Sequence, residues 1–197
     1  MSFQLPHLSY QSIGQIADQF LAKCHPNLIL PIPIEEIAEK KLNLKIIPES
    51  NLKRDFDVDG FLTSGLTAIF IDFDLYQKFE NRTRLTIAHE IGHTVLHGEF
   101  FKSLKIQSAS DLDNLATKLS EEQYRWLEYQ AYSFGSQVLI PKDLLLQEIR
   151  KRTGKIPHLE TPEVLAPIAQ DLLVVFQVSG EAMLRRLQKE GIVKSNS

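Results

Sequence analysis

The stretch Thr86-Ile87-Ala88-His89-Glu90-Ile91-Gly92-His93-Thr94-Val95-Leu96-His97 contains the pattern His-Glu-x-x-His. Residues four apart lie on the same face of an α-helix, so His89 and His93 can direct their imidazoles at one metal ion. Glu90 follows about 100° further round the helix, where its carboxylate can take a proton from a water beside that ion. The alternative is a pair of core histidines without a metal. The helical, apolar surroundings are those that the metal-binding pattern requires.

His97 extends this four-residue series and has two interpretations. It is either a metal ligand or a hydrogen-bonding partner of one, or it is a polar residue near the C-terminus of the helix. A straight helix drifts by about 40° over each four-residue step, so three consecutive ligands at this spacing would splay around the metal. We therefore favour a supporting or structural role. The longer zinc-binding pattern, with a glycine and a third histidine, is absent because Leu96 and Glu99 occupy those positions. Gly98 is expected to end the helix.

Composition limits the classes of protein that this chain can belong to. It has 197 residues, 43% of them hydrophobic, which is enough for one domain with a real core. The net charge of −3 argues against bulk attraction to nucleic acid or to an anionic membrane. The single cysteine, Cys24, cannot form a disulfide framework and is typical of a reducing cytoplasm. No apolar run of about eighteen residues and no leader pattern is found, so we expect a cytoplasmic protein without a membrane span.

Before the motif, the periodicity of apolar residues predicts helices and a small antiparallel sheet. Helices are expected at 12–23 and 33–43, a connector or short helix at 74–79, and strands at 44–47, 60–63 and 67–72. The last two strands should form a hairpin that turns at Ser64-Gly65. The first strand should end before Pro48, and a solvated loop should follow it. The aspartates of that loop are spaced as in a calcium loop, but Leu66 stands where such a loop needs a glutamate.

After the motif, the chain is predicted to be helical. Asn81 or Thr83 should cap the motif helix, and residues 99–119 should form an exposed excursion, either a lid over the site or a plain surface loop. Ser120 and Gln123 form the capping-box pattern. Four helices are expected from there, at 120–140, 141–154, 161–176 and 179–190. We divide the chain into a domain of residues 1–160 and a helix-turn-helix-like pair at 161–197, packed on the same domain.

A catalytic zinc site takes three protein ligands and leaves one position open. The later candidates for the third ligand are Glu99, Asp111, Asp113, Glu121, Glu122, Glu128 and His158. We favour Glu128 because it lies in the middle of a helix, and because Ala131 and Gly135 on its face would let that helix approach the motif helix closely. The two glutamates at the start of the same helix are explained by the helix dipole without a metal. The alternative for Glu128 is a surface carboxylate.

Two motifs in combination resemble the ImmA/IrrE family of metallopeptidases. The first is Arg84-Leu85-Thr86-Ile87-Ala88-His89-Glu90-Ile91-Gly92-His93, ending in Leu96-His97. The second is Glu128-x-x-Ala131-x-x-Phe134, leading to Leu139-Ile140-Pro141. Gly60-Phe61-Leu62, Ile69-Phe70-Ile71-Asp72 and the helical segment 168–187 are also similar to that family, so that the resemblance covers roughly residues 30–192. Tyr132 stands where the family usually has Asn, and Gly135 where it usually has Ala.

The resemblance implies a mainly helical α+β, zincin-like metallopeptidase domain with a small antiparallel sheet packed by the motif helix. It implies Zn²⁺ as cofactor, His89, His93 and Glu128 as metal ligands, and Glu90 as general base. It also implies a protein substrate, a bacterial helix-turn-helix repressor that controls stress or mobile-element genes. Tyr132, one turn after Glu128, is a candidate for stabilising the oxyanion, with a packed core tyrosine as the alternative.

A different class of function is a regulatory binding protein. Its C-terminal helices would bind a partner or DNA, and its zinc would act as a sensor. Arg185, Arg186 and Lys189 could belong to a recognition helix. Residues 161–197, however, contain four basic and four acidic side chains, whereas DNA-binding helices usually carry a basic stripe. The carboxylate of Glu90 favours catalysis, because a structural zinc site does not need it.

Overall fold

A computed structural model of the chain describes residues 6–194; within that range the side chains of Asp113, Asn114 and Ala116 are not described. The predicted fold class is confirmed, because most of the chain is helical and a single small sheet lies in its first half. The elements are, in chain order, α1 Tyr10–Cys24, α2 Ile34–Glu36 with the π-helical turn Ile37–Lys41, β1 Lys45–Glu49, α3 Leu52–Phe56, β2 Gly60–Leu62, β3 Ala68–Asp72, α4 Phe73–Lys78, α5 Glu80–Lys102, the 3₁₀ turn Ala109–Asp111, α6 Asp113–Lys118, α7 Glu121–Leu139, α8 Lys142–Thr153, the 3₁₀ turn Pro162–Leu165, α9 Ala166–Phe176 and α10 Gly180–Lys189.

The sheet has three strands in the spatial order β1-β3-β2. β2 and β3 form the predicted antiparallel hairpin, with Gly60 opposite Ile71 and Leu62 opposite Ile69. β1 was also expected to be antiparallel, but it pairs in parallel with β3, which makes the sheet mixed. Parallel pairing needs a crossover connection between the two strands, and α3 with β2 supplies it.

β1 continues through Pro48, although the strand was expected to end before it. Pro48 lies opposite Ile71 of β3. A proline is tolerated there because β1 is an edge strand, on which alternate N–H groups point away from the sheet. The loop expected after β1 also contains a helix, α3, whose Leu52 is completely buried. Burial of that one side chain orders a segment whose composition is otherwise that of a loop.

α5, which carries the His-Glu-x-x-His motif, is longer than predicted at both ends. It begins at Glu80, before both of the expected capping residues. Asn81 Nδ2 instead donates to the carbonyl of Val178 (3.2 Å), and Thr83 Oγ1 donates to the carbonyl of Leu75 (3.0 Å). The helix also continues through Gly98 for another turn, on which Phe100 is 1% exposed. Burial of that turn outweighs the low helix propensity of the glycine.

The segment 99–119 was expected to be exposed, and this is correct only in part. Leu104 and Ile106 are buried against the core. The segment is also tied to the β2–β3 turn, because Ser64 N–H donates to the carbonyl of Ile106 (2.9 Å) and Ile106 N–H donates to Ser64 Oγ (2.7 Å). The part of this segment that follows α5 is therefore fixed to the β2–β3 hairpin.

α5 and α7 cross at very short range, as the small residues predicted. A Cβ atom added at Gly92 of α5 would lie 2.8 Å from the carbonyl oxygen of Ala131, and one added at Gly135 of α7 would lie 2.9 Å from the carbonyl carbon of Ala88. Both distances are shorter than real Cβ contacts allow. The two backbones thus touch on both sides of the motif, which brings the middle of α7 beside it.

The last two helices, α9 and α10, pack against the rest of the chain. Arg84, which is 4% exposed, donates through Nε to the carbonyl of Gln177 between them (3.2 Å). Arg186 of α10 donates through Nε to the carbonyl of Ile140 (3.0 Å). Within residues 6–194 no single helix is long and apolar enough to cross a membrane; α9 with its preceding turn and α10 meet that criterion only as a pair bent by 107°.

Candidate metal centre

His89 and His93 of α5 and Glu128 of α7 meet at one point. The Nε2 atoms of His89 and His93 are 3.0 Å apart. Glu128 lies 3.1 Å from His89 Nε2 through Oε2 and 3.5 Å from His93 Nε2 through Oε1. Among the described side chains this is the only group of three or more histidines, cysteines, aspartates or glutamates that is close enough to hold a metal ion. The structure thus brings together the three residues that the sequence selected.

The donor set has the dimensions of a tetrahedral zinc site. Zinc binds histidine nitrogen and carboxylate oxygen at about 2.0–2.2 Å, so two ligand atoms on a tetrahedron are about 3.3–3.6 Å apart. The distances of 3.0 Å between the two Nε2 atoms, 3.1 Å from His89 Nε2 to Glu128 Oε2 and 3.5 Å from His93 Nε2 to Glu128 Oε1 lie close to that range. Two imidazole nitrogens that face each other also need a cation between them or a proton on one of them. Nitrogen, nitrogen and carboxylate oxygen are ligands that zinc accepts.

Without a metal, the carboxylate of Glu128 is paired with the imidazoles. Burial disfavours the charged form of both partners, but the interaction outweighs it: the pKa of His89 is raised to about 8, and that of Glu128 falls well below its usual range. A metal ion that binds here would compete with a proton for these donor atoms.

Glu90 differs from Glu128 in its surroundings. It is 5% exposed, and burial raises the pKa of its carboxyl group, although His89 and His93 oppose the shift. The backbone N–H of Leu62, on the edge strand β2, is a hydrogen-bonding neighbour of this carboxylate. Glu90 thus lies between the metal ligands and the sheet, facing the cleft, with the raised pKa that suits a general base.

The candidate site opens into a cleft with a volume of about 1190 Å³. The cleft is lined by β2 and the segment before it, by α7 and by part of α10. Apolar side chains that follow the motif helix line it as well. The lining residues include Val58, Asp59, Gly60, Leu62, Arg82, Leu85, Phe101, Leu112, Leu115, Tyr124, Tyr132 and Arg185. Segment 99–119 contributes to the cleft through Ala109, Ser110, Leu112 and Leu115, so its predicted place beside the site is correct.

His97 does not join the donor set. Its Nδ1 atom lies 3.2 Å from Nδ1 of His93, on the side of that ring that faces away from Glu128. The side chain is 2% exposed, and burial, together with the neighbouring His93, lowers its pKa to about 3. Of the two interpretations made from the sequence, the structure favours the supporting one: His97 is a neutral imidazole behind a candidate ligand.

The other candidates for a third ligand lie elsewhere. Glu99 is an exposed side chain paired with Lys102 (2.7 Å). Asp111 caps its own 3₁₀ turn, and Glu121 is 85% exposed at the start of α7. Glu122 and His158 do not belong to the candidate group either. Asp113 is outside the described side chains.

Tyr132 lines the cleft, but its ring is covered by the guanidinium of Arg185, whose carbon lies 5.6 Å from the ring centroid. Tyr124, four residues before Glu128 and on the same face of α7, lines the cleft as well and is 40% exposed. Burial and the negative charges of Glu128 and Glu90 raise the pKa of Tyr124 to about 12. Sequence reasoning missed Tyr124, although its spacing from Glu128 could have indicated it.

A helix with a His-Glu-x-x-His motif, a carboxylate from a second helix and a small sheet beside them define a zincin-like domain. A family model described as the IrrE N-terminal-like domain, Peptidase_M78, matches residues 76–188. This match spans more than half of the chain, and the chain belongs to that peptidase family. A comparison with curated proteins finds no match.

The fold is also similar to a solved structure. A protein described as a Mycobacterium tuberculosis transcriptional regulator superposes with a TM-score of 0.58 at 11% sequence identity, over 90% of this chain and 46% of the regulator. At that identity the similarity concerns the fold alone. The present chain spans about half the length of the regulator.

Proposed function

We propose that the protein is a zinc-dependent peptidase in which His89, His93 and Glu128 bind the metal and Glu90 is the general acid and base. The observation that carries this proposal is a pair of imidazole Nε2 atoms 3.0 Å apart, with the two oxygens of Glu128 at 3.1 Å and 3.5 Å from them, beside a second, buried carboxylate in an open cleft. Membership of a peptidase family supports it. A site that only stores or senses zinc would not need Glu90.

The mechanism follows from the positions of these residues. Bound zinc would supply Lewis acidity, both to a water and to the carbonyl group of the scissile peptide bond. Glu90 takes the proton of the attacking water, since its carboxylate is on the cleft side of the ligands. It then returns that proton to the leaving amine. Its raised pKa brings it closer to the operating pH, where it can both accept and give up the proton.

The edge of β2 that faces away from β3 is suited to hold an extended peptide, although the N–H of Leu62 already contacts Glu90. Thr63 N–H donates to the carbonyl of Ala68 (3.0 Å) and Asp72 N–H donates to the carbonyl of Asp59 (2.9 Å), so these residues face each other within the hairpin. In an antiparallel pair the hydrogen-bonding direction alternates, and the backbone groups of Gly60 and Leu62 therefore point away from β3. Both residues line the cleft. A substrate strand added there would run past Glu90.

We further propose that the natural substrate is a protein regulator of transcription, specifically a bacterial helix-turn-helix repressor. The resemblance of the two motifs to the ImmA/IrrE family supports this substrate. A strand-binding cleft that is open to solvent is compatible with a segment of another protein.

DNA binding by the C-terminal helices is not supported by the surroundings of their basic residues. Arg186 is 1% exposed and paired with Glu190, and Arg185 is paired with Glu181 (2.6 Å). Lys189 lies over the ring of Tyr129, 5.2 Å from its centroid. α10 therefore carries no unpaired basic stripe among the described residues, and we propose that it has a packing role.

The decisive experiment combines metal content with hydrolysis. Wild-type protein purified without chelator should contain about one zinc per chain by mass spectrometry, and His93→Ala and Glu128→Ala should lose it. Glu90→Gln should keep its zinc while cleavage of a proteome-derived peptide library falls by about 10²- to 10⁴-fold. Zinc in the wild type without cleavage in either protein would leave a zinc-binding regulator. Absence of zinc, even after incubation with the metal, would refute the proposal.

A further inference from the structure

The protonation of His93 is decided on the side of its ring away from the candidate metal. Its Nε2 atom faces His89 and Glu128, so a neutral His93 that binds through Nε2 must carry its proton on Nδ1. That Nδ1 atom lies 3.2 Å from Nδ1 of His97. One of these two nitrogens has to donate to the other, and His93 can bind a metal through Nε2 only if its own Nδ1–H is the donor.

His97 must then accept at Nδ1. An imidazole that accepts at Nδ1 carries its single proton on Nε2. His97 Nε2 is fully buried, and it has no partner at hydrogen-bond distance among the described residues. A buried N–H group in this situation requires an acceptor close by.

The residue placed to provide that acceptor is Gln130 of α7. Its side chain is completely buried and lies next to the imidazole of His97. Gln130 Nε2 donates to the carbonyl of Pro6 (3.0 Å). Because a carbonyl oxygen can only accept, this contact fixes which way the amide points. Gln130 Oε1, also buried and without a partner in the described part of the chain, is left on the other end of the amide.

We propose that the backbone carbonyl of Pro6 sets the tautomer of His93 through Gln130 and His97. The amide of Gln130 donates to Pro6 and accepts from His97 Nε2–H, and His97 Nδ1 accepts from His93 Nδ1–H. His97 and Gln130 are thus positioning residues of the metal site. This inference rests on the proposed function, since it assumes that His93 binds a metal.

Pro6 and His7, which precede α1, thereby have a role in the metal site. Pro6 precedes His7, whose ring stacks on Trp126 of α7 with 4.6 Å between the centroids. That contact holds the Pro6 carbonyl over Gln130, which lies one helical turn after Trp126. Neither Pro6 nor Gln130 lines the cleft. Pro6 and His7 therefore support the metal site through α7.

The test is zinc affinity, measured by competition with a chromophoric chelator. His97→Asn keeps an acceptor near the position of Nδ1, whereas His97→Leu has a similar size and no acceptor. We expect His97→Leu to weaken zinc binding by about 10- to 100-fold and His97→Asn to restore most of that loss. Gln130→Met should weaken binding by roughly 10-fold.

Gln137→Met is the matched control. Gln137 lies on the same helix, is 6% exposed and donates through Nε2 to the carbonyl of Tyr10 (3.2 Å), so it forms the same kind of bond without touching a histidine. Thermal unfolding of the metal-free variants measures the structural cost of each change. The inference is wrong if Gln130→Met and Gln137→Met lower zinc affinity equally. It is also wrong if His97→Asn binds zinc as weakly as His97→Leu does.

Nitrogen-15 correlation spectra of the imidazoles give a readout that does not depend on activity. They should show His97 protonated at Nε2 and unprotonated at Nδ1; a proton on His97 Nδ1 would overturn the inference. Failure of the proposed function has a different signature, since the wild-type protein itself would then bind no zinc.

Discussion

At the scale of residues, identical side chains acquire different roles from their neighbours. Glu128 lies against two imidazoles, which hold its pKa well below the usual range, whereas burial raises the pKa of Glu90. The first carboxylate is therefore suited to remain charged as a ligand, and the second to exchange a proton. Tyr124 and Tyr132 also have different neighbours, because the ring of Tyr132 is covered by Arg185.

We expect the hydroxyl of Tyr124 to stabilise the oxyanion. Its pKa of about 12 keeps it protonated, and hence a donor, at neutral pH. Tyr124→Phe should lower kcat by about 10²-fold and leave KM and zinc content nearly unchanged. Tyr132→Phe is the control, expected to keep most of the activity. Steady-state kinetics of both variants test this assignment. If Tyr132→Phe is the impaired variant, Tyr132 and not Tyr124 stabilises the oxyanion.

At the scale of elements, the site depends on how closely α5 and α7 approach. Glycines on both helices remove the Cβ atoms that would separate the backbones, at Gly92 and Gly135. The candidate ligands His89 and His93 come from one helix and Glu128 from the other, so the spacing of the helices sets the spacing of the donor atoms.

Gly92→Ala should therefore damage both stability and metal binding. Its Cβ would lie 2.8 Å from the carbonyl of Ala131, which is backbone and cannot move independently. We expect a loss of about 1–3 kcal/mol in the free energy of unfolding, measured by urea denaturation, together with weaker zinc binding.

Gly98→Ala on the same helix is the control for this change. A Cβ there meets only the side chain of Leu66, at 3.3 Å, and α5 continues through the position. The expected effect on stability lies between none and a gain of about 1 kcal/mol. Equal losses in Gly92→Ala and Gly98→Ala would show that close helix packing at Gly92 is not the cause.

At the scale of the whole molecule, a buried polar cluster joins the two ends of the described chain. Arg186 of α10, 1% exposed, donates to Glu190, to the hydroxyl of Tyr10 on α1 and to the carbonyl of Ile140 after α7. Lys142 of α8 completes it, with its Nζ 2.8 Å from Glu190 Oε2. Helices α1, α8 and α10 and the end of α7 thus meet at the ion pair of Arg186 and Glu190. Loss of either residue would leave a buried charge without its main partner.

Stability should fall in acid because of this cluster. Burial opposes ionisation of Glu190, but Lys142 and Arg186 outweigh it and hold its pKa below the usual range. Its contribution is therefore complete above the unfolded-state pKa of about 4.3 and is lost as the pH falls below that value. Glu190→Gln should be less stable at pH 7 and lose less stability between pH 5 and pH 3. Chemical denaturation of the metal-free protein at each pH measures this; an unchanged pH slope would contradict the assignment.

Much of the fold could be predicted because it depends on local patterns. The Ser120 capping box, the hairpin at 60–72 and the glycine after α8 all lie where periodicity and turn chemistry indicate. The exceptions depend on distant partners. β1 is parallel because it pairs with β3 across a crossover, and α5 passes Gly98 because Phe100 is buried against the core.

The sequence by itself determined the ligand helix, its histidines at i and i+4, and Glu128 on a second helix made close by small residues. These follow from the geometry of a single helix and from side-chain size. Only the tertiary structure decided that His97 supports His93, that Gln130 and Pro6 lie behind His97, and that Tyr124 shares the cleft with Glu90. Pro6 and Gln130 are 124 residues apart, and no local pattern encodes a contact at that separation.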